Sequence, residues 1–274
     1  MPLLAIAALS IREAASRRVA IVIAVATALA ILVSTWAMAG LSNALQPREA
    51  VPGFDTGFTI FLAFGFSAGL GIAAAFVAAP AVASELEGGV ALAILPRPIS
   101  RAEYVLGKWL GLGALVAAYA FVAGGIELAA IAFSTGFTVP HPVLALAFLA
   151  AEAIVVMTLA LCLGTRLPAI GAGILAVALF GIAWVDGFAI SISEAVQNGA
   201  VLGVARAVAV VVPSDVLWRG AVFDLEPSAL LAGGASGNPL LIAAPPSAWF
   251  LAWSALWFVA ILALTIWAFR RRDI

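Results

Sequence analysis

Six long apolar runs, 19–41, 58–83, 109–133, 143–163, 168–185 and 249–269, constrain this chain more than anything else in it. About 20 such residues cover the ~30 Å hydrocarbon layer of a bilayer. Four runs carry no charge, and the other two carry one each, Glu127 and Glu152. Lipid offers no partner to peptide N–H and C=O groups, so each run is predicted to be a helix; a barrel would read as alternating strands of about ten residues. The expected fold is all-α, a six-span integral membrane protein forming one transmembrane domain over residues 1–274. Composition agrees, because 65% of the residues are hydrophobic and 10% charged, against roughly 45–50% and 25% in a soluble domain.

A net charge of −1, with no basic stripe to neutralise phosphates, argues against a nucleic-acid partner. The single cysteine, Cys162, rules out an intrachain disulfide. Arg12, Arg17 and Arg18 precede a run too long for the apolar core of a cleaved signal, so the first span is expected to stay in place. Lys and Arg mark the inner side of a membrane. With six spans, one side holds Arg12, Arg17, Arg18, Arg97, Arg101, Lys108, Arg166, Arg270, Arg271 and Arg272, and the other only Arg48, Arg206 and Arg219. Both termini are therefore expected in the cytoplasm.

The largest loop on that side, 84–108, gathers six of the chain's charged side chains. Ser84 with Glu87, and Ser100 with Glu103, have the form of capping boxes, in which hydroxyl and carboxylate satisfy each other's amides at a helix start. The first predicts a short helix over 85–95, stopped by Pro96 and Pro98. The second predicts a helix that starts at Ser100 and runs through Tyr104, Gly107 and Lys108 into the third span.

Glu85, Glu87-Gly88-Gly89, Leu95-Pro96-Arg97-Pro98, Ser100-Arg101 and Leu106-Gly107-Lys108 resemble the segment between the second and third spans of the type 2 class of ABC exporter permeases. The likeness is greatest to the branch that includes the maturation permease for nitrous-oxide reductase. The basic approach helix, the six spans, the outer Val212-Pro213-Ser214-Asp215 and Trp218-Arg219, and the terminal Phe269-Arg270-Arg271-Arg272-Asp273 fit the same pattern. Val90 departs from it, where the family often has threonine. The resemblance implies a prokaryotic inner-membrane permease that pairs with a second copy and rests on a separate ATPase subunit. ATP and Mg would belong to that partner, and this chain would hold no cofactor. It implies that 85–95 is a coupling helix, with Glu85, Glu87, Gly88, Gly89, Arg97, Pro98, Arg101 and Lys108 at the ATPase contact. The chain itself lacks the upstream glycine of a Walker motif before Gly107-Lys108, so it is not expected to be an enzyme.

Residues 2–18 read as a helix in the membrane interface, with Leu3, Leu4, Ile6 and Ile11 towards lipid. It resembles the connecting helix of the same family. Glu127 and Glu152 are costly inside a membrane unless they meet a cavity or a partner. Both fall roughly 10–15 Å below the outer surface, counted along their helices. They would line a translocation path or share a proton, or each would bond a neighbouring serine, threonine or carbonyl. The outer segment 186–248 is too broken to span: 199–212 suits a helix at or dipping into the outer interface, and Pro213-Ser214-Asp215 starts a helix over 216–223. That segment would gate an exit, touch an extracytoplasmic partner, or lie as a lid over the helix ends.

Two other classes remain to be weighed. Gly65-Phe66-Ser67-Ala68-Gly69 and Gly234-Ala235-Ser236-Gly237 match short motifs of serine hydrolases, but a helix in lipid lacks the strand-to-helix elbow. The single histidine, His141, precedes the fourth span and suits neither serine. A secondary transporter would favour inverted repeats, and residues 1–137 and 138–274 show none. A passive membrane scaffold stays open beside it. No Cys/His cluster supports a metal site.

Overall fold

The computed structural model describes residues 2–16, 18–44, 54–88, 100–196, 203, 207–226, 242 and 244–271. Secondary structure among them is entirely helical: α1 (Pro2–Ser16), α2 (Arg18–Ala44), α3 (Phe54–Glu87), α4 (Arg101–Thr135), α5 (Pro142–Gly164), α6 (Ala169–Val196), α7 (Ser214–Leu225) and α8 (Ala248–Arg270). Five of the described helices, α3, α4, α5, α6 and α8, are long and apolar enough to cross a membrane. Helices α1 and α2 pass the same test as a pair across a 64° bend, which makes up to six where that pair counts as one span. The molecule is thus a multi-pass membrane protein.

At the centre lies α5, whose Val155, Val156, Met157, Ala160 and Leu161 are fully buried. Helix α3 presents Ala74, Ala75, Ala78, Ala79 and Val82 to the same core. Small residues let the backbones close up, since lipid gives no hydrophobic drive between helices and packing must supply it. A Cβ on Gly164 of α5 would sit 2.7 Å from the Ala79 carbonyl oxygen of α3. Helix α2 shows the opposite pattern, with Val22, Leu32 and Trp36 all exposed, a face suited to lipid.

The proposed helix start at Ser84 does not exist. Helix α3 runs unbroken past Pro80 to Glu87, and the Ser84 hydroxyl donates back to the Pro80 carbonyl. The Gly88 N–H continues the helical pattern by bonding Ser84 O at 2.9 Å. A capping signal acts only where a helix has already been broken, and the buried stripe through Ala81, Val82 and Ala83 carries α3 straight through it. Proline inside a membrane helix is tolerated where the surrounding helices take up the disturbed backbone groups. Residues 89–99, which hold the rest of the expected coupling helix, lie outside the described residues.

The second capping box forms as predicted. Ser100 Oγ accepts from Glu103 N at 3.1 Å, and Glu103 Oε2 accepts from Ser100 N at 2.8 Å. Helix α4 then runs 35 residues without a break, and Gly136 closes it in the left-handed region at φ 75°, where a side chain would be strained.

Helix α1 departs from the lipid-facing expectation. Ile6 faces α4, where a Cβ on Gly107 would meet the Ile6 side chain at 2.8 Å, and Ser10 and Ala14 are buried. Leu4 and Leu9 stay exposed. Glycines 107 and 111 leave a trough on α4 that α1 fills.

Among the described residues of the outer segment, α7 reaches into the bundle. Helix α7 runs antiparallel to α5 inside the bundle: Asp224 O accepts from His141 N at the start of α5, and a Cβ on Gly220 would strike Phe148. Residues 207–211 form a helical turn before it. Trp253 and Trp257 of α8 donate to the carbonyls of Val210 and Val211. The chain therefore dips inward beside α8, turns at Pro213 and returns along α5.

Candidate functional site

Three of the expected coupling residues, Glu85, Arg101 and Lys108, lie at the basic end of the bundle. Lys108 is 3% exposed. Its Nζ donates to Glu85 Oε1 at 2.6 Å, and Glu13 of α1 lies 3.9 Å away. The Tyr104 hydroxyl donates to the other oxygen of Glu85. One lysine and one tyrosine thereby tie α4 to the Glu85 carboxylate of α3, and the same lysine faces the Glu13 carboxylate of α1. Such a buried pair is worth having only when both charges are hydrogen-bonded, and here they are. Glu85 and Lys108 therefore satisfy each other within this chain.

Arg101 is engaged differently. Its guanidinium donates to Phe269 O and Arg270 O, at 3.3 and 2.7 Å, while Arg166 from the α5–α6 turn donates to Ala268 O at 3.1 Å. The last carbonyls of a helix have no partner within it and carry its negative dipole end. Two arginines from different elements satisfy three of them on α8. Stacking of Tyr104 on Phe269, with ring centres 5.3 Å apart, joins this cap to the Glu85 pair. Glu87 ends α3 and Gly88 forms the turn after it. The Glu87 side chain and Gly89, Arg97 and Pro98 lie outside the described residues.

A second polar group lies deep between α3, α5, α6 and α7. Glu152 is 1% exposed, and its Oε2 accepts from Ser67 Oγ at 2.7 Å. Among the described residues its Oε1 has no partner, and neither does the indole N–H of Trp184, which lies close by without completing a hydrogen bond. Phe64 stacks on Trp184 with ring centres 3.9 Å apart and fixes that indole. Asp215, within electrostatic reach of Glu152, pairs with Arg219 one turn on: Arg219 Nε donates to Asp215 Oδ2 at 2.8 Å. Arg219 also donates to Gly187 O at 2.9 Å, which pins α7 to α6. Only glycine fits there, since a Cβ at 187 would lie 1.8 Å from Asp215 Oδ1. Burial pushes the Asp215 carboxyl above the usual range, and the Arg219 guanidinium opposes that shift. Asp186 Oδ2 and Ser214 Oγ, one residue before Gly187 and Asp215, are buried and lack partners among the described residues.

Sequence reasoning singled out Glu152 but not its surroundings. Ser67 appeared only as a hydrolase candidate, and its hydroxyl is committed as a donor to Glu152. Ser236 lies outside the described residues. The Asp215–Arg219 pair had a legible signal, since opposite charges four apart after Pro213 suit the first turn of a helix.

Glu127 stands apart from this group. It lines a small cleft of about 20 Å³, walled by Thr59, Phe66, Gly124, Ile131, Leu146 and Leu225 among others. Glu152 does not line that cleft, so the two carboxylates do not share this pocket. Among the described residues, nothing hydrogen-bonds or ion-pairs with Glu127. No group of three or more His, Cys, Asp or Glu side chains among the described residues is placed to hold a metal ion. No protein-family model matches this chain, and no curated protein matches it in sequence.

Proposed function

We propose that this chain is the membrane-spanning permease subunit of an ATP-driven exporter of the ABC type 2 class, seated with both termini in the cytoplasm of a prokaryote and working as a pair of copies on a separate ATPase. The observation that carries the reading is the basic end of α3 and α4. At 1.5 Å per residue these helices are each about 50 Å long, well over the ~30 Å of hydrocarbon. They overshoot the bilayer towards the loop 89–99, whose sequence resembles the family's coupling segment. Glu85, Tyr104 and Lys108 brace the two helices just above that loop, and Arg101 fastens α4 to α8. A push on the loop would then move α3, α4 and α8 together, as a lever requires.

The loop residues that remain for the partner are Glu87, Gly88, Gly89, Arg97 and Pro98, with Arg97 as a charge to set docking register. The test is purification of the tagged chain from its native membrane in mild detergent. A nucleotide-binding subunit in equal amount is expected, and it should be lost on Arg97→Glu while the permease still inserts. Recovery of the chain without any ATPase would overturn the proposal and favour a secondary transporter or scaffold.

A further inference from the structure

The Glu127 cleft has the makings of a ligand site. Its walls come from α3, α4, α5 and the end of α7, and apart from Glu127 and Thr59 they are apolar. A carboxylate inside a membrane is costly, and it persists where it meets a partner or a cavity. Three other carboxylates have polar partners: Glu152 accepts from Ser67, Asp215 pairs with Arg219 and Glu85 with Lys108. Glu127 instead faces a cleft. We infer that this cleft binds the ammonium head of a primary alkylamine, whose apolar tail packs against the leucine, isoleucine and phenylalanine side chains that α3 and α4 bring to it.

Each part of that ligand answers a feature of the site. The ammonium brings a full positive charge and three N–H donors to a carboxylate, and charge-assisted hydrogen bonds are the strong ones. Thr59 supplies a second acceptor. Its hydroxyl proton is spent on Asp55 O at 2.7 Å, which leaves the oxygen lone pairs for an incoming N–H. Leu62 and Phe66 of α3 and Leu128 and Ile131 of α4 line the same cleft and offer apolar surface to a tail. Gly124 keeps α4 close to α5, since a Cβ there would strike Leu146 at 2.5 Å. The head site therefore stays narrow and suits a small ammonium. Binding itself is independent of the exporter reading, and only the onward movement of the amine would rest on it.

The test uses the full chain in lipid nanodiscs of phosphatidylglycerol, with a dodecylammonium probe that carries a photoreactive diazirine on its tail. Labelling should map to α3 and α4 around the cleft. Glu127→Gln should lower it by about tenfold or more, the loss of one charge-assisted hydrogen bond, and Glu127→Asp should retain most of it. The matching dodecanol probe should label weakly. Equal labelling by amine and alcohol, or labelling indifferent to Glu127→Gln, would overturn the proposal, provided circular dichroism shows the variant folded. Competition by phosphatidylethanolamine would also overturn it, by making the occupant a lipid headgroup. Co-purification of an ATPase reads out separately, so a failed label leaves the exporter proposal standing on its own test.

Discussion

At the scale of single residues, burial decides what each charge is for. Lys108 and Glu85 face one another with side chains 4% and 13% exposed, so removing one partner strands the other. Lys108→Met is expected to destabilise the protein by about 3 kcal/mol, and adding Glu85→Gln should recover part of it, because the stranded charge is then gone. Thermal unfolding in detergent checks both; a double variant no more stable than the single would refute the pairing. Glycines divide in the same way. A Cβ on Gly111 would lie 2.4 Å from Ala7 O, whereas one on Gly125 meets nothing within 4 Å. Gly111→Ala should therefore lower the melting temperature by several degrees, on the order of 1–3 kcal/mol for overpacking, and Gly125→Ala should leave it unchanged. The Gly107 and Gly111 pair was legible as a small-residue stripe. That α1 fills it was not, because nothing in a stripe names the helix that packs on it.

Among the elements, α7 and α8 are held by polar contacts that helix periodicity does not report. Arg101 and Arg166 cap α8, and the double alanine variant is expected to fray its last turn. Faster amide exchange over 265–270, with the centre of α8 unchanged, would show it. At the far end of α7, Glu226 Oε1 accepts from Ile242 N at 3.0 Å, and burial raises its carboxyl from 4.5 to about 7. The folded state thus holds this proton more tightly than the unfolded chain, so stability falls as pH rises across that window. The contribution is full below pH of about 4.5 and is lost as pH rises through about 7. Amides of α7 should lose protection between pH 5 and 7.5, after correction for intrinsic exchange, and Glu226→Gln should abolish the difference. The start of α4 at Ser100 was readable because a capping box is local chemistry. The identical signal at Ser84 misled, since the continuing buried face of α3 outweighed it.

For the whole molecule, the distribution of Lys and Arg makes an orientation that labelling can test. In a Cys162→Ser background, Gly88→Cys should react with an impermeant maleimide only from the cytoplasmic side and Thr138→Cys only from the opposite side; the reverse would invert the proposed topology. What the sequence by itself determined is the set of membrane-length helices. Lipid leaves the backbone no alternative, so hydropathy over about 20 residues is sufficient. What the tertiary structure alone decided is who meets whom: Lys108 with Glu85 across 23 residues, Ser67 with Glu152 across 85, α1 in the trough of α4, and α7 inside the bundle rather than over it. Those pairings depend on how close two helix surfaces approach, which is set by small residues on both and is visible on neither alone.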